Sequence, residues 1–214
     1  MALAEYVGGS EEGFVYLMNE RAKLAGLQNT VFTNPSGLHN DKHLSTAYDT
    51  AKMLQVAMQN PTFKKVASSK SYVAKTTWQN KHKLLLRDVG AIAGKTGFTK
   101  VAGRTLATYF ERDDKEFVVV TLNEPDDWNF HLHLANLVEE NYKQYVVVKE
   151  GSYRSGKRVI KVDKDVKLLL TKKEYKEIAH TLYIPTNSIR SQGVWQVKLK
   201  STPIYQFNVK LKQK

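Results

Sequence analysis

The 214 residues contain no cysteine. This excludes a disulfide framework, a thiolate metal site and a cysteine nucleophile together, but it leaves the compartment open, because many exported proteins also lack cysteine. No apolar run approaches the roughly 20 residues that a membrane-spanning helix needs. The opening MALAEYVGGSEEG is an acidic helical segment without the basic region or cleavage site of a targeting signal. Internal repeats and low-complexity stretches are also missing. Acidic residues run short in the last third. Residues 1–145 carry 17 Lys+Arg against 16 Asp+Glu, whereas residues 146–214 carry 16 against 5, so nearly all of the net charge of +12 lies in the tail. This step predicts two units with different surroundings, divided after residue 145. The second would face something anionic: a phosphate-rich wall polymer, a lipid surface or nucleic acid.

What is present is enough for a folded core, at 42% hydrophobic residues. Ser10 suits the N-cap of a helix running to about Ala25, with Phe14, Leu17, Met18, Arg21 and Ala25 on one face and Gly26 as a left-handed stop. A second helix starts at Ser45, carries Ala47, Ala51, Leu54 and Met58 at helical spacing, and ends before Pro61. Between them TVFTNPSGLHNDKH reads as a polar loop. From Ser71 onward strand signals dominate: SYVAKTTW, KLLL, AIAGKTGFT, then RTLATYFE and EFVVVTLN joined by the turn RDDK. Phe130, Leu134, Leu137, Val138 and Tyr142 form the stripe of a helix from Trp128 to about Tyr145. The tail alternates again in KRVIKVD, DVKLLLT, GVWQVKLK and IYQFNVKLK, with one helical segment around KKEYKEIAH. The fold class is therefore α+β: an antiparallel sheet with flanking helices, followed by a small β-rich domain.

Gly94-Lys95-Thr96-Gly97 sits in a strand that is otherwise small and apolar. Glycine lets a ligand approach the backbone. An ammonium beside a hydroxyl can hold a carboxylate, while the strand's own N–H and C=O groups can pair with a peptide laid alongside. A lone Lys-Thr-Gly is weak on its own. Its context is specific. The pieces ALAEYVGGSEEGFVYLMNERAKLAGLQNTVFTNPSGL, HLSTAYDTAKML, NKHKLLL and GKTGFTKVAGRTLATYFERDDKEFVVVTLN, in that order, resemble the later part of the catalytic domain of D-alanyl-D-alanine carboxypeptidases, the low-molecular-mass penicillin-binding proteins.

The resemblance implies a partial serine β-lactamase/transpeptidase-like domain in which Lys95, Thr96 and Gly97 are the third active-site motif. Lys95 and Thr96 would hold the terminal carboxylate of a D-Ala-D-Ala peptide or of a β-lactam, and Gly97 would keep the strand open. The Phe98 backbone N–H would serve the oxyanion hole, where one donor contributes on the order of 3 kcal/mol. Lys81 or Arg87 could add charge to the pocket, although solvated surface explains each as well. The family also uses the serine of an S-x-x-K motif as nucleophile and an S-x-N motif beside it. No serine of this chain has Lys three positions on or Asn two positions on. The nucleophile is therefore expected on a missing N-terminal half, the absence reading as truncation, with a non-catalytic remnant or cell-wall-binding protein as the alternative. By resemblance the intact protein is extracellular or periplasmic and membrane-associated, and acts on peptidoglycan pentapeptides. No cofactor is implied.

Other clusters read as structure. His39, Asp41 and His43 lie in a solvated loop and are not taken as a metal site. His131 and His133, two apart on a helix, do not face together, and His82 and His180 show no partner. Asp113-Asp114 suit a turn and Asp126-Asp127 a helix start. Asn34-Pro35-Ser36-Gly37 reads as a loop bordering the site. Tyr153 with Arg154, and Trp195 with Lys198, could stack on nucleic acid, but strand alternation explains them and nucleic-acid signatures are missing, so no nucleic-acid partner is assigned.

Overall fold

The computed structural model describes residues 1–156, 158–185 and 191–213. Two compact units divide it, Met1–Asn136 and Leu137–Lys214. Lys157, where the sequence places the start of the KRVIKVD strand, lies outside the described residues.

The first unit opens with α1 (Ala2–Gly8) and α2 (Glu11–Leu24). Ser10 accepts the Gly13 N–H at 3.0 Å and caps α2, and Gly26 takes the left-handed stop at φ 70°. α3 (Ala47–Met58) is capped by Thr46, one residue after the expected Ser45. Pro61 does not merely end that helix. It occupies the first turn of α4 (Pro61–Ala67), where its missing N–H costs nothing, behind an Asn60 cap.

SYVAKTTW is not one strand but a small hairpin, β1 (Ser71–Val73) and β2 (Thr77–Gln79). KLLL is not a strand either. It forms a 3₁₀ turn, Lys83–Leu86, that drives Leu84 and Leu85 into the core at 0% and 2% exposure. Three consecutive leucines have no period, so burial alone does not choose between strand and turn. The sheet follows as expected: β3 (Ala91–Thr99), β4 (Gly103–Arg112) and β5 (Lys115–Leu122), antiparallel in the order β3-β4-β5. Asp113 adopts φ 52° in the β4–β5 turn, a conformation aspartate tolerates.

Both faces of this sheet are covered. Leu54 and Met58 of α3 pack on Ala93, Ala107 and Tyr109, whereas Leu84, Leu85 and Ala135 of α5 (Asp127–Asn141) pack with Ala91, Phe110 and Val119. Ala91 and Ala93 belong to opposite cores although they are two apart. A register shift between them reverses the alternation, as a bulge does. Asp49 at the head of α3 is buried, which would raise its pKa, but the Asn29 N–H at 2.7 Å and the Thr30 hydroxyl at 2.8 Å hold it below the ordinary carboxylate value.

α5 stops at Asn141, four residues before the expected end, and Tyr142 begins β6 (Tyr142–Val148). The β-branched run that follows favours a strand over a further helical turn. The second unit continues with β7 (Gly151–Ser155), β8 (Arg158–Val162), β9 (Val166–Thr171), α6 (Lys172–Lys176), β10 (Ile178–Tyr183), β11 (Gln192–Leu199) and β12 (Thr202–Gln213). A five-stranded antiparallel sheet in the order β10-β11-β12-β8-β7 closes on a core of Ile160, Val162, Val197, Val209 and Leu211, and β6 pairs with β9. The predicted KKEYKEIAH helix is only one turn long, held by a Thr171–Glu174 capping box, and IAH belongs to β10. Among the described residues no helix is long and apolar enough to cross a membrane.

Phe110 is fully buried and stacks on Phe117 at 5.3 Å. Phe110→Ala should destabilise the first unit by about 3–5 kcal/mol, read as a fall in urea midpoint at unchanged slope.

Candidate active-site groove

Among the described residues β3 pairs with β4 alone, so its other edge is open. Lys95 and Gly97 are exposed, and Phe98 exposes 71% of its surface. These residues with Thr96 line a groove of about 1080 Å³. The Asn34–Leu38 loop lines it as well. There the Asn34 carboxamide accepts the Ser36 hydroxyl at 2.9 Å and the Gly37 N–H at 2.8 Å, while its amide donates to the Leu38 carbonyl at 2.9 Å. One asparagine thereby folds the loop, and Gly37 takes φ 75° to complete it.

Lys81, Lys83, Lys95 and Arg104 supply positive charge along the groove, and Asp127 is the acid that lines it. Arg104 donates to Asp127 at 2.7 Å, and that carboxylate raises the guanidinium pKa further above its ordinary value. The Lys95 ammonium donates to the Thr96 carbonyl. With Asp127 already engaged by Arg104, a ligand carboxylate would meet three lysines. A net cationic concavity beside an open strand edge suits an extended peptide with an anionic end.

Beneath β3 lies a buried polar chain. His82 Nε2 is 2.9 Å from the Thr108 hydroxyl, which is 2.8 Å from His131 Nδ1, and His131 Nε2 is 3.0 Å from the Thr121 hydroxyl. All four side chains are at most 7% exposed. Burial lowers the His82 pKa, with the Ala107 carbonyl working the other way. Burial also pushes His131 down to about 4, the nearby His82 adding to the shift and Asp127 opposing it.

The structure thus brings Lys95, Thr96, Gly97, Phe98, the Asn34 loop and Lys81 to one groove, and Arg87 is not among its lining residues. His82 has partners that the sequence did not reveal, as does His180, whose Nδ1 accepts the Trp195 indole N–H at 3.2 Å. His43 lines the groove and takes the Thr33 N–H at 3.2 Å, while His39 pairs with Asp41 at 3.2 Å. Asp127 does sit at a helix start, yet its ion pair reaches 23 residues back. Arg104, Lys83 and Trp128 carry no local signal that would have marked them.

The first unit is thus an antiparallel sheet between helices, with a Lys-Thr-Gly edge facing a cationic groove. The family model for D-alanyl-D-alanine carboxypeptidase matches residues 1–126, and the chain belongs to that family. It is 29% identical over 168 residues to D-alanyl-D-alanine carboxypeptidase DacF of Bacillus subtilis, covering 76% of this chain and 43% of that protein. It is 37% identical over 113 residues to the D-alanyl-D-alanine carboxypeptidase of Streptomyces sp. strain K15, covering 45% of this chain and 39% of that one. The chain therefore spans less than half the length of these curated relatives. Among solved structures, penicillin binding protein 5 from Haemophilus influenzae matches in fold with a TM-score of 0.76 at 21% identity, over all of this chain and 69% of that one.

The folded protein protonates His131 only near pH 4, whereas an unfolded histidine takes up that proton near 6.5. Acidification between these values therefore favours unfolding, by about 1.4 kcal/mol per pH unit, and the effect levels off below pH 4. Urea midpoints from pH 7 to 4 should show this slope in the native chain and a shallower one in His131→Asn, where the lowered pKa of His82 keeps part of the dependence.

Proposed function

We propose that the first unit is the substrate-binding half of a serine-type D-Ala-D-Ala carboxypeptidase acting on peptidoglycan stem peptides, with its attacking serine on polypeptide outside these 214 residues. The observation that carries this reading is the Lys95-Thr96-Gly97 tripeptide on an unpaired strand edge inside a cationic groove. The peptide would lie along β3 as an added strand. Its terminal carboxylate would take the Lys95 ammonium and the Thr96 hydroxyl, charge-assisted contacts worth about 1.5–3 kcal/mol each. The Phe98 N–H would donate to the oxyanion that forms when the serine attacks the D-Ala-D-Ala carbonyl. Expulsion of the terminal D-Ala leaves an acyl-enzyme, and water then releases the shortened peptide. A β-lactam would occupy the same groove, where serine attack on its ring carbonyl breaks the ring C–N bond and leaves the opened lactam as an acyl ester.

The absence of S-x-x-K and S-x-N from the sequence supports the assignment of the nucleophile elsewhere. On this reading the whole protein works outside the cytoplasm at the membrane, and the basic second unit faces an anionic wall polymer or the membrane surface. The competing reading is a non-catalytic wall-binding remnant.

Fluorescent penicillin tests the choice. The chain alone should give no covalent adduct. Mixed with a separate polypeptide bearing the upstream S-x-x-K and S-x-N segment of a relative, it should label, and Lys95→Ala should cut that labelling by tenfold or more, roughly what losing one charged contact costs. An adduct on the chain alone contradicts the placement of the nucleophile. Failure of the mixture to label supports the remnant.

A further inference from the structure

The glycine before the tripeptide has a neighbour that the proposed chemistry does not use. A Cβ added at Gly94 would come within 2.5 Å of His82 Nε2 and 2.3 Å of the Ala107 carbonyl oxygen, so the imidazole lies directly on the β3 backbone, one residue before Lys95. The other ring nitrogen, Nδ1, is buried without a hydrogen-bond partner among the described residues. The ring is therefore oriented through Nε2, which lies 2.9 Å from the Thr108 hydroxyl. Trp128 closes the remaining side edge-on, at 5.3 Å between ring centroids.

We propose that His82 is a positioning residue: its ring, wedged between Gly94 and the β4 backbone and tied to Thr108, fixes the height and register of Lys95–Phe98 at the groove. This rests on the substrate reading given above, but its structural half can be tested without it. A strand paired on one side only has no second neighbour to hold it flat. Here the side chain just ahead of the 3₁₀ turn does that from beneath, and the two alanines of the bulge are too small to do so.

The hydroxyl bridge adds a consequence. Thr108 has one proton to donate and faces an imidazole nitrogen on each side. If it donates to His131 Nδ1, His82 Nε2–H must donate to it; if it donates to His82, the order reverses. Both arrangements satisfy the bridge with two neutral rings, and either one also accepts a single added proton. A second proton would set two buried cations on one hydroxyl. The charged groups around the chain are Asp127, which attracts such a proton, Arg104, which already holds Asp127, and Lys83, 5.9 Å over the Trp128 ring. Protonation of one ring is thus felt by the other, and through His82 by Gly94.

The full chain, labelled with ¹⁵N, decides the matter. In His82→Ala, amide shifts and hydrogen exchange should change at Gly94–Phe98, with exchange there faster by about tenfold while the β4–β5 amides stay within about twofold. His82→Gln, whose amide N–H reaches the position of Nε2, should restore most of the native pattern. Thr108→Val, which keeps shape and removes the hydroxyl, should give an intermediate effect and serves if His82→Ala does not fold. In the native chain the Lys95 and Thr96 amides should titrate with the His82 ring, and Thr108→Val should uncouple His131 from both. Unchanged β3 amides in His82→Ala and Thr108→Val would overturn the proposal, and so would changes spread evenly through β3–β5. N-acetyl-D-Ala-D-Ala separates this from the substrate reading. If it leaves Lys95–Phe98 undisturbed in the native chain, that reading fails while the strand data still stand. If it binds the native chain and His82→Ala equally, the positioning role fails.

Discussion

A border strand presents one row of bonded N–H and C=O groups and one row that faces outward, and proteins usually cover or charge that second row. Among the described residues the outer row of β3 has no partner strand, and next to Lys95 it lies in front of a groove rather than open surface. Much of the first unit serves to keep that edge straight and exposed. The bulge between Ala91 and Ala93 shares the strand between two hydrophobic cores, so α3 grips it from one face and the 3₁₀ leucines and α5 from the other. Glycine at 94 admits the His82 ring, and glycine at 97 admits the Thr105 hydroxyl, which would lie 2.4 Å from an added Cβ. Both glycines answer to packing within the sheet. The openness of the edge is a product of the same packing.

The parts of this arrangement that depend on neighbours in sequence were legible without coordinates. Ser10 and Gly26 bracket α2, RDDK turns β4 into β5, and AIAGKTGFT forms one strand. Where periodicity fell silent, so did the reading. KLLL has no alternation to distinguish a strand from a 3₁₀ turn, and Tyr142 continues the helical stripe of α5 although the β-branched residues behind it belong to a strand. Long-range polar partners were out of reach altogether. His82, Thr108 and His131 are 26 and 23 residues apart, ahead of the 3₁₀ turn, on β4 and on α5, and each looks unremarkable by itself. The ion pair of Arg104 with Asp127 is hidden for the same reason.

The second unit obeys simpler rules. Its strands alternate, its valines, isoleucine and leucine fill one core, and lysines take the exposed positions, as at Lys161, Lys210 and Lys212. Two of these share Asp163, at 3.5 and 2.7 Å, and hold that carboxylate below its ordinary pKa. Few other acids are present to balance the remainder. Most of the positive charge of this unit therefore has no acidic residue to balance it.

At the β3 edge one charge is proposed to meet another, and calorimetric titration of the full chain tests that most directly. A peptide ending in D-Ala-D-Ala with a free carboxylate should bind roughly tenfold tighter than the same peptide with a C-terminal carboxamide, the difference expected from one charge-assisted contact. Lys95→Ala should erase that preference. Equal affinities for acid and amide in the native chain would contradict the assignment of this edge as a carboxylate-binding strand.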